Sequence, residues 1–377
     1  MITEKKQDNG FFVIGIVLLA FSNVFALSGY AVSIFYTELA TLLTIVIFMF
    51  GIAAKSMKKG NISLMDIILF VVLLFYTVAI IFSWKSFNQL TNLVTLFGIS
   101  FWVNIFAKLQ WDHNKYIYCG LACAVYSVVM IFLFLPGGLF SGWNPNSVIS
   151  IFPAAIFSIA CFMKVENKWK NIAITLIFLL TTLLLLQLEN RSAFLALALF
   201  LIVCIFKKIY TNKTRFRIFY LIVIAINVLL PLFFEVATET NFFKTLSNFL
   251  LNIFDKSGLN GREDLWKVAI IKMREHPWFG NLGYRTTYFH NFSLDVLIQF
   301  GWVGWIIFFG VLIYILEKSF KEGETRNLFL IGFLCLLFLN TFESVLFCNN
   351  YFMPFSYLLI GMCWNKNTTK EKMLAEK

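Results

Sequence analysis

A chain of 377 residues that is 60% hydrophobic and only 14% charged cannot be covered as a soluble fold. Ordinary globular domains are about 45–50% apolar and about 25% charged. The 46 Phe residues point the same way, and the net charge of +11 is scattered between apolar runs instead of forming the solvated basic patch that nucleic acid requires. Composition therefore excludes a soluble enzyme, a disordered chain and a secreted disulfide scaffold, and leaves an all-α polytopic membrane protein with no nucleic-acid partner.

A spanning helix needs about 20 mostly apolar residues. Runs of that kind fall at 11–30, 36–54, 65–83, 88–107, 115–135, 147–163, 171–188, 192–206, 217–235, 292–316, 327–343 and 351–363. They predict about 12 transmembrane helices in one integral membrane domain, residues 1–377. The first run ends at Ala26-Leu27-Ser28-Gly29 without a convincing cleavage site and is expected to be a retained helix, not a signal peptide. Six of the 7 cysteines lie inside these runs and the other, Cys348, in a short connection. Their spacing fits small membrane-core residues better than a metal site or disulfide framework.

Charge sets the expected orientation, because cytoplasmic connections collect Lys and Arg. Basic residues crowd alternate connections, around Lys55–Lys59, Lys164–Lys170, Lys207–Arg217 and Lys318–Arg326, and both terminal segments. The short connections on the other side hold only Lys85 and Arg191. Both termini are thus expected in the cytoplasm, and residues 236–291 form one long extracytoplasmic loop between the ninth and tenth helices. Long irregular segments in compact proteins are usually functional. Within this one, Phe242 to Phe254 is an apolar segment suited to the membrane surface. Asn260-Gly261-Arg262-Glu263 resembles a capping box with Asn260 as N-cap, followed by Trp266, Ala269, Ile270 and Met273 at helical spacing. His276-Pro277 should end that helix, and Phe279 to Tyr284 reads as a glycine-punctuated turn.

Ionisable groups near or within a membrane are costly, about 2.5–3.5 kcal/mol for Arg at mid-bilayer on insertion scales, so those retained there deserve a functional hypothesis. Arg191 is the lone Arg of the short outer connections, although it also suits headgroup contact or a pair with Glu189. Arg262 falls in the first turn of the loop helix, where free N–H groups and the helix dipole favour anions; alone it reads equally as a solvated residue paired with Glu263 or Asp264. His290 stands where the long loop re-enters the membrane and suits either an interfacial residue or a general base. Asp295, about one turn further on, could orient it or cap the helix. Asn144-Pro145-Asn146 is by default a turn. No cluster of His, Asp or Glu has metal-ligand spacing, no DxD lies on the outer side, and phosphate-loop and dinucleotide signatures are absent.

Taken together, these segments resemble the O-antigen polymerase/ligase family of bacterial membrane glycosyltransferases over roughly residues 140–310. Gly142-Trp-Asn-Pro-Asn-Ser147 is similar to the family's Asn-Pro-Asn turn. Asn190-Arg191-Ser192 resembles its Ser-Arg segment before a helix, with the order inverted. Gly261-Arg262-Glu-Asp-Leu-Trp266 resembles its GR…W element. His276-Pro-Trp-Phe-Gly280-Asn-Leu-Gly283, His290-Asn291-Phe-Ser-Leu294 and Gly301-Trp-Val-Gly304 resemble its PxxGxG…HNxxL…GxxG signature.

The resemblance implies transfer of a glycan from undecaprenyl diphosphate on the outer face of the bacterial inner membrane, without metal, nucleotide sugar or other cofactor. The acceptor would be another lipid-linked repeat unit for a polymerase of O-antigen, capsule or exopolysaccharide, the reading preferred on base rates, or lipid A–core for a ligase. It implies Arg191 and Arg262 as diphosphate cations, His290 as the base, and Asn291, Asn144, Asn146, Arg285, Gly280 and Gly283 as substrate contacts. Besides the lipid bilayer and the undecaprenyl-diphosphate-linked oligosaccharide, a chain-length regulator and a flippase of the same pathway are expected partners. A lipid-linked oligosaccharide flippase or transporter is the rival from another class; such folds usually show internal repeats, and none is apparent here.

Overall fold

The computed structural model describes residues 64–107, 113–135, 138, 151–165, 169–187, 190–237, 240–245, 248, 261–285, 287–344, 346 and 353–364. The first two apolar runs, the Asn144-Pro145-Asn146 turn, Asn260 and most of Phe242 to Phe254 lie outside them. The described residues form helices α1 (Leu64–Phe82), α2 (Asn88–Ala107), α3 (His113–Phe134), α4 (Ile151–Lys164), α5 (Lys170–Gln187), α6 (Arg191–Ile205), α7 (Lys208–Thr211), α8 (Lys213–Ala237), α9 (Arg262–Glu275), α10 (Phe292–Ser319), α11 (Leu328–Leu339) and α12 (Met353–Trp364). No strand occurs among them.

Each of the ten apolar runs from residue 65 onward has a helix in its place. Four helical stretches are long and apolar enough to cross a membrane: Asn114–Phe134, Lys170–Gln187, Lys213–Phe233 and Phe292–Ser319. Four others are shorter apolar helices, among them Ile151–Lys164 and Arg191–Ile205. Their environment is legible from burial. Helix α11 is apolar all round and buried almost throughout, packed by α4, α6, α8 and α12, as a helix with no polar face must be in the centre of a bundle. Helices α1 and α5 instead expose Leu, Ile, Val and Phe over much of their length, a surface stable against lipid and not against water.

Two expectations for the long loop need correction or refinement. Helix α9 begins one residue later than expected, and Asn260, the expected N-cap, lies outside the described residues. Its N-cap is Gly261, in the left-handed region at φ +79°, with no side-chain cap bond. Glycine adopts that conformation without the Cβ penalty and lets the chain turn into the helix, while Glu263 and Asp264 complement the helix dipole. The helix ends at Glu275 with His276 as C-cap, and Trp266, Ala269 and Ile270 are its buried face, packed on Phe289, Leu294 and Ile298.

Helix α10 is broken at Gly301, whose φ of 64° and ψ of −167° belong to a region essentially confined to glycine. A break inside an apolar bundle must satisfy the backbone groups it releases. The Pro277 to Gly283 turn does this. The N–H groups of Asn281 and Gly283 donate to the carbonyls of Ile298 (2.9 Å) and Gln299 (2.8 Å). The carbonyls of Pro277 and Trp278 accept from the N–H groups of Trp302 (2.8 Å) and Val303 (3.1 Å). Tyr76 of α1 donates its hydroxyl to the remaining carbonyl, Phe300, at 2.9 Å. On the other side of the turn, the buried amides of Gln89 and Asn92 in α2 hold the carbonyls of Leu282 (3.2 Å) and Gly283 (3.2 Å).

Gly280 and Gly283, expected as substrate contacts, are therefore packed against backbone: a Cβ on Gly280 would lie 2.6 Å from atoms of Ile298, Gln299 and Phe300. A Cβ on Gly301 would lie 2.3 Å from the Trp278 carbonyl group. Gly301→Ala, combining that overlap with a forbidden backbone conformation, should destabilise the protein by on the order of 3 kcal/mol or more, visible as a lowered melting temperature in detergent.

Candidate functional site

The polar groups gather where the loop enters α10, against the turn that follows α11. Three tethers fix this junction. Pro231 inside α8 has no N–H, so it leaves the carbonyl of Asn227, four residues earlier, without its helical donor. The Asn291 amide fills that vacancy at 3.1 Å and also donates to the Thr341 carbonyl at 3.0 Å. Its oxygen accepts from Leu294 N–H at 2.9 Å, making Asn291 the N-cap of α10. Asn291 is fully buried and its amide is used up, so it serves here as the knot joining α8, α10 and the turn after α11. The backbone N–H of Phe292 adds a bond to the Asn340 carbonyl at 2.9 Å.

On the other flank, Trp266 of α9 is buried and donates its indole N–H to the Phe289 carbonyl at 2.9 Å. His290 is thus clamped between two fixed neighbours, and its backbone is left-handed at φ +52°. Histidine visits that region more readily than most residues, yet the conformation still costs of order 1 kcal/mol and persists only where the surroundings impose it.

The strained backbone aims His290 at Glu343. Nδ1 of the imidazole lies 2.9 Å from Oε2 of the carboxylate. The other oxygen, Oε1, accepts from the Arg262 guanidinium at 2.5 Å. The Glu343 side chain is only 2% exposed, whereas Arg262 and His290 are 18% and 26% exposed, so the cation and the imidazole form the accessible rim over a buried acid.

Tyr288 donates its hydroxyl to Oε2 of Glu343 at 3.2 Å, accepts from Ser344 N–H at 2.8 Å, and stands edge-on to the His290 ring at 4.2 Å. Burial, followed by the Glu343 charge, pushes the Tyr288 hydroxyl well above the ordinary tyrosine value, which keeps it a donor at all working pH. A second pair lies beside the first. Arg285 sits 3.8 Å from Asp295 and over the Tyr288 ring at 4.4 Å, and the Ser344 hydroxyl donates to Asp295.

Of the residues singled out in the sequence, the structure thus brings together Arg262, Arg285, His290 and Asn291. Asp295 has no described hydrogen bond to His290; its carboxylate is held by Arg285, the Ser344 hydroxyl and the Phe289 backbone N–H. Arg191 occupies the first turn of α6, behind an Asn190 cap that accepts from Ala193 N–H, and is half-buried. Asn144 and Asn146 lie outside the described residues. Glu343 was missed in the sequence reading, though a signal was present: it is the one charged residue between Leu328 and Cys363, an ionisable group at the end of an apolar run. Among the described residues no group of three His, Cys, Asp or Glu side chains is disposed to hold a metal ion.

Fold and site together define an all-helical membrane protein with an Arg–carboxylate–His cluster where a polar loop meets the helix ends. Residues 175–309 match the family model described as O-antigen ligase, a match over about a third of the chain that supports its resemblance to the O-antigen polymerase/ligase family. The matched segment contains Arg191, Arg262, Arg285, His290 and Asn291 and stops short of Glu343. No curated protein matches the chain. The match supports a membrane function in joining or polymerising glycans, with lipid-linked glycans as the implied substrates.

Proposed function

We propose that this protein transfers a glycan from undecaprenyl diphosphate to a hydroxyl of a second lipid-linked repeat unit, acting as a polysaccharide polymerase on the extracytoplasmic face of the bacterial inner membrane. The observation that carries the reading is the meeting of Arg262 and His290 on opposite oxygens of one buried carboxylate, within or beside the segment that matches the family. In the reaction, an acceptor oxygen forms a bond to the anomeric carbon of the donor sugar. The bond from that carbon to the diphosphate breaks, and its electron pair leaves with undecaprenyl diphosphate. The hydroxyl proton passes to Nε2 of His290, the ring nitrogen not facing Glu343.

The leaving group is where charge develops, and in this reading fixed cations neutralise it instead of a metal ion. Arg262 supplies guanidinium N–H groups beyond the one given to Glu343, next to the first turn of α9, whose N-cap Gly261 makes no side-chain cap bond. The formal charges of Arg262 and Arg285 are already balanced by Glu343 and Asp295. In this reading Arg191 and the proton that His290 acquires during transfer add to the attraction for the diphosphate. Asn144, Asn146 and Arg285 are the proposed sugar contacts. The exposed apolar faces of the bundle suit the polyprenyl tail and the bilayer, and a flippase and chain-length regulator are the proposed partners in the pathway.

Deletion of the gene, followed by gel analysis of surface glycan, tests the assignment. Single repeats on the normal acceptor with loss of the ladder are expected for the polymerase. The matching family model is described as O-antigen ligase, and accumulation of long polymer on undecaprenyl diphosphate would establish that reading instead.

A further inference from the structure

Glu343 lies outside the segment that matches the family, yet among the described residues it is the side chain that hydrogen-bonds both the cation and the imidazole. We propose that Glu343 is a positioning residue that fixes the tautomer of His290, keeping the proton on Nδ1 and the lone pair of Nε2 directed at the acceptor. The inference rests on the reading of His290 as the base.

The argument is one of donors and acceptors. A carboxylate can only accept hydrogen bonds. Arg262 donates to its Oε1, and Tyr288 and His290 share Oε2. Tyr288 donates there because its oxygen already accepts from the Ser344 N–H. The only arrangement that satisfies Oε2 and Nδ1 together has the hydrogen on Nδ1. The neutral imidazole then carries its lone pair on Nε2, the form able to take a proton. Arg285, Asp295 and Ser344, the remaining polar groups around the site, are engaged with one another and with Tyr288 and offer Nδ1 no competing partner in the described contacts. Because Glu343 is buried behind the two residues it orients, it is placed to hold them without meeting the substrate itself.

Glu343→Gln reverses this logic with little change of shape. The amide oxygen stays with the charged Arg262, and the amide nitrogen must face Nδ1 as a donor. His290 is then driven to the tautomer with hydrogen on Nε2, which cannot act as a base. Arg262 keeps its acceptor, so donor binding is retained.

The test uses the purified full-length protein in detergent with the undecaprenyl-diphosphate-linked glycan extracted from membranes of the deletion strain. Turnover and donor KM are measured for wild type, Glu343→Gln, His290→Asn and the double variant. For Glu343→Gln, kcat should fall on the order of 10²-fold while donor KM stays within about threefold. The double variant should be no slower than His290→Asn alone, because both changes remove the same function. A merely structural role would lower the amount of folded protein and would combine multiplicatively with the His290 change.

Wild-type kcat in Glu343→Gln, or multiplicative effects beside an inactive His290→Asn, overturns the positioning role and leaves the base reading standing. An active His290→Asn overturns the base reading and this inference with it. Should Glu343→Gln fail to fold, nitrogen-15 NMR of His290 in the wild-type protein decides. Hydrogen on Nδ1 supports the proposal, and hydrogen on Nε2 alone overturns it.

Discussion

His290→Asn is expected to yield a folded protein that transfers glycan about 10²–10⁴-fold more slowly than wild type, the contribution typical of a general base. Asparagine is the informative replacement. It tolerates the left-handed backbone that His290 adopts, which alanine does less readily. It also keeps a short polar group facing Glu343 and has no nitrogen able to accept a proton. The change therefore separates chemistry from folding. The measurement is single-turnover transfer by purified protein, with the melting temperature alongside. Turnover within a few-fold of wild type at an unchanged melting temperature would remove His290 from the mechanism. A collapse in the amount of folded protein should not occur, because the Trp266–Phe289 and Asn291 tethers that hold this stretch are independent of the imidazole.

The second large effect is expected at Arg262. Arg262→Ala should lower transfer by about 10²–10³-fold, the cost of losing one fixed donor aimed at developing charge in a low-dielectric site. It should also destabilise the protein. Removing one member of a buried ion pair strands the other, at a cost of about 3–5 kcal/mol in well-buried cases. Glu343 at 2% exposure is such a partner, while the 18% exposure of Arg262 places the cost toward the lower end. Arg262→Lys resolves the two contributions. It restores a cation to Glu343, so the melting temperature should recover most of its loss. It lacks the planar fork that serves a carboxylate and a phosphate at once, so turnover should recover only in part. Recovery of both in parallel would mean that Arg262 acts only as a structural partner of Glu343.

The helices were legible because their signal is local and strong. In an apolar bundle each segment must satisfy its own backbone, so a hydrophobic run has few alternatives to a helix. The run 88–107 accordingly coincides with α2, and the other nine runs from residue 65 onward have helices with ends a few residues away. The buried face of α9 could be read for the same reason, since Trp266, Ala269 and Ile270 recur at the helical period. Its cap could not. Asn260 and Gly261 are adjacent possible starts, and the choice turned on a glycine backbone angle that composition does not encode.

The site was legible in its separate pieces and not in its pairings. Arg262 and His290 could be singled out because polar residues are rare and expensive beside apolar runs. That they share one carboxylate could not be foreseen, because Glu343 lies 53 residues beyond His290 in sequence and no local pattern links the two. Asp295, one turn after His290, was the nearer acid and the natural orienting partner, but the left-handed turn at His290 directs the ring to Glu343 and leaves Asp295 to Arg285. The packing role of the glycines was hidden for a related reason. A glycine needed for ligand approach and one needed for backbone packing look alike in a sequence, and Gly280 and Gly283 prove to fit against the break at Gly301.

The sequence by itself therefore determined a greasy, all-helical chain, the segments that become its helices, and the few polar residues expensive enough to matter. Those follow from hydropathy and the cost of unsatisfied backbone, which act within one segment. The tertiary structure decided where α10 breaks, how a distant loop repairs that break, and which acid stands behind His290. Those depend on hydrogen bonds between segments far apart in the chain, where partner and geometry are set only once the bundle has packed.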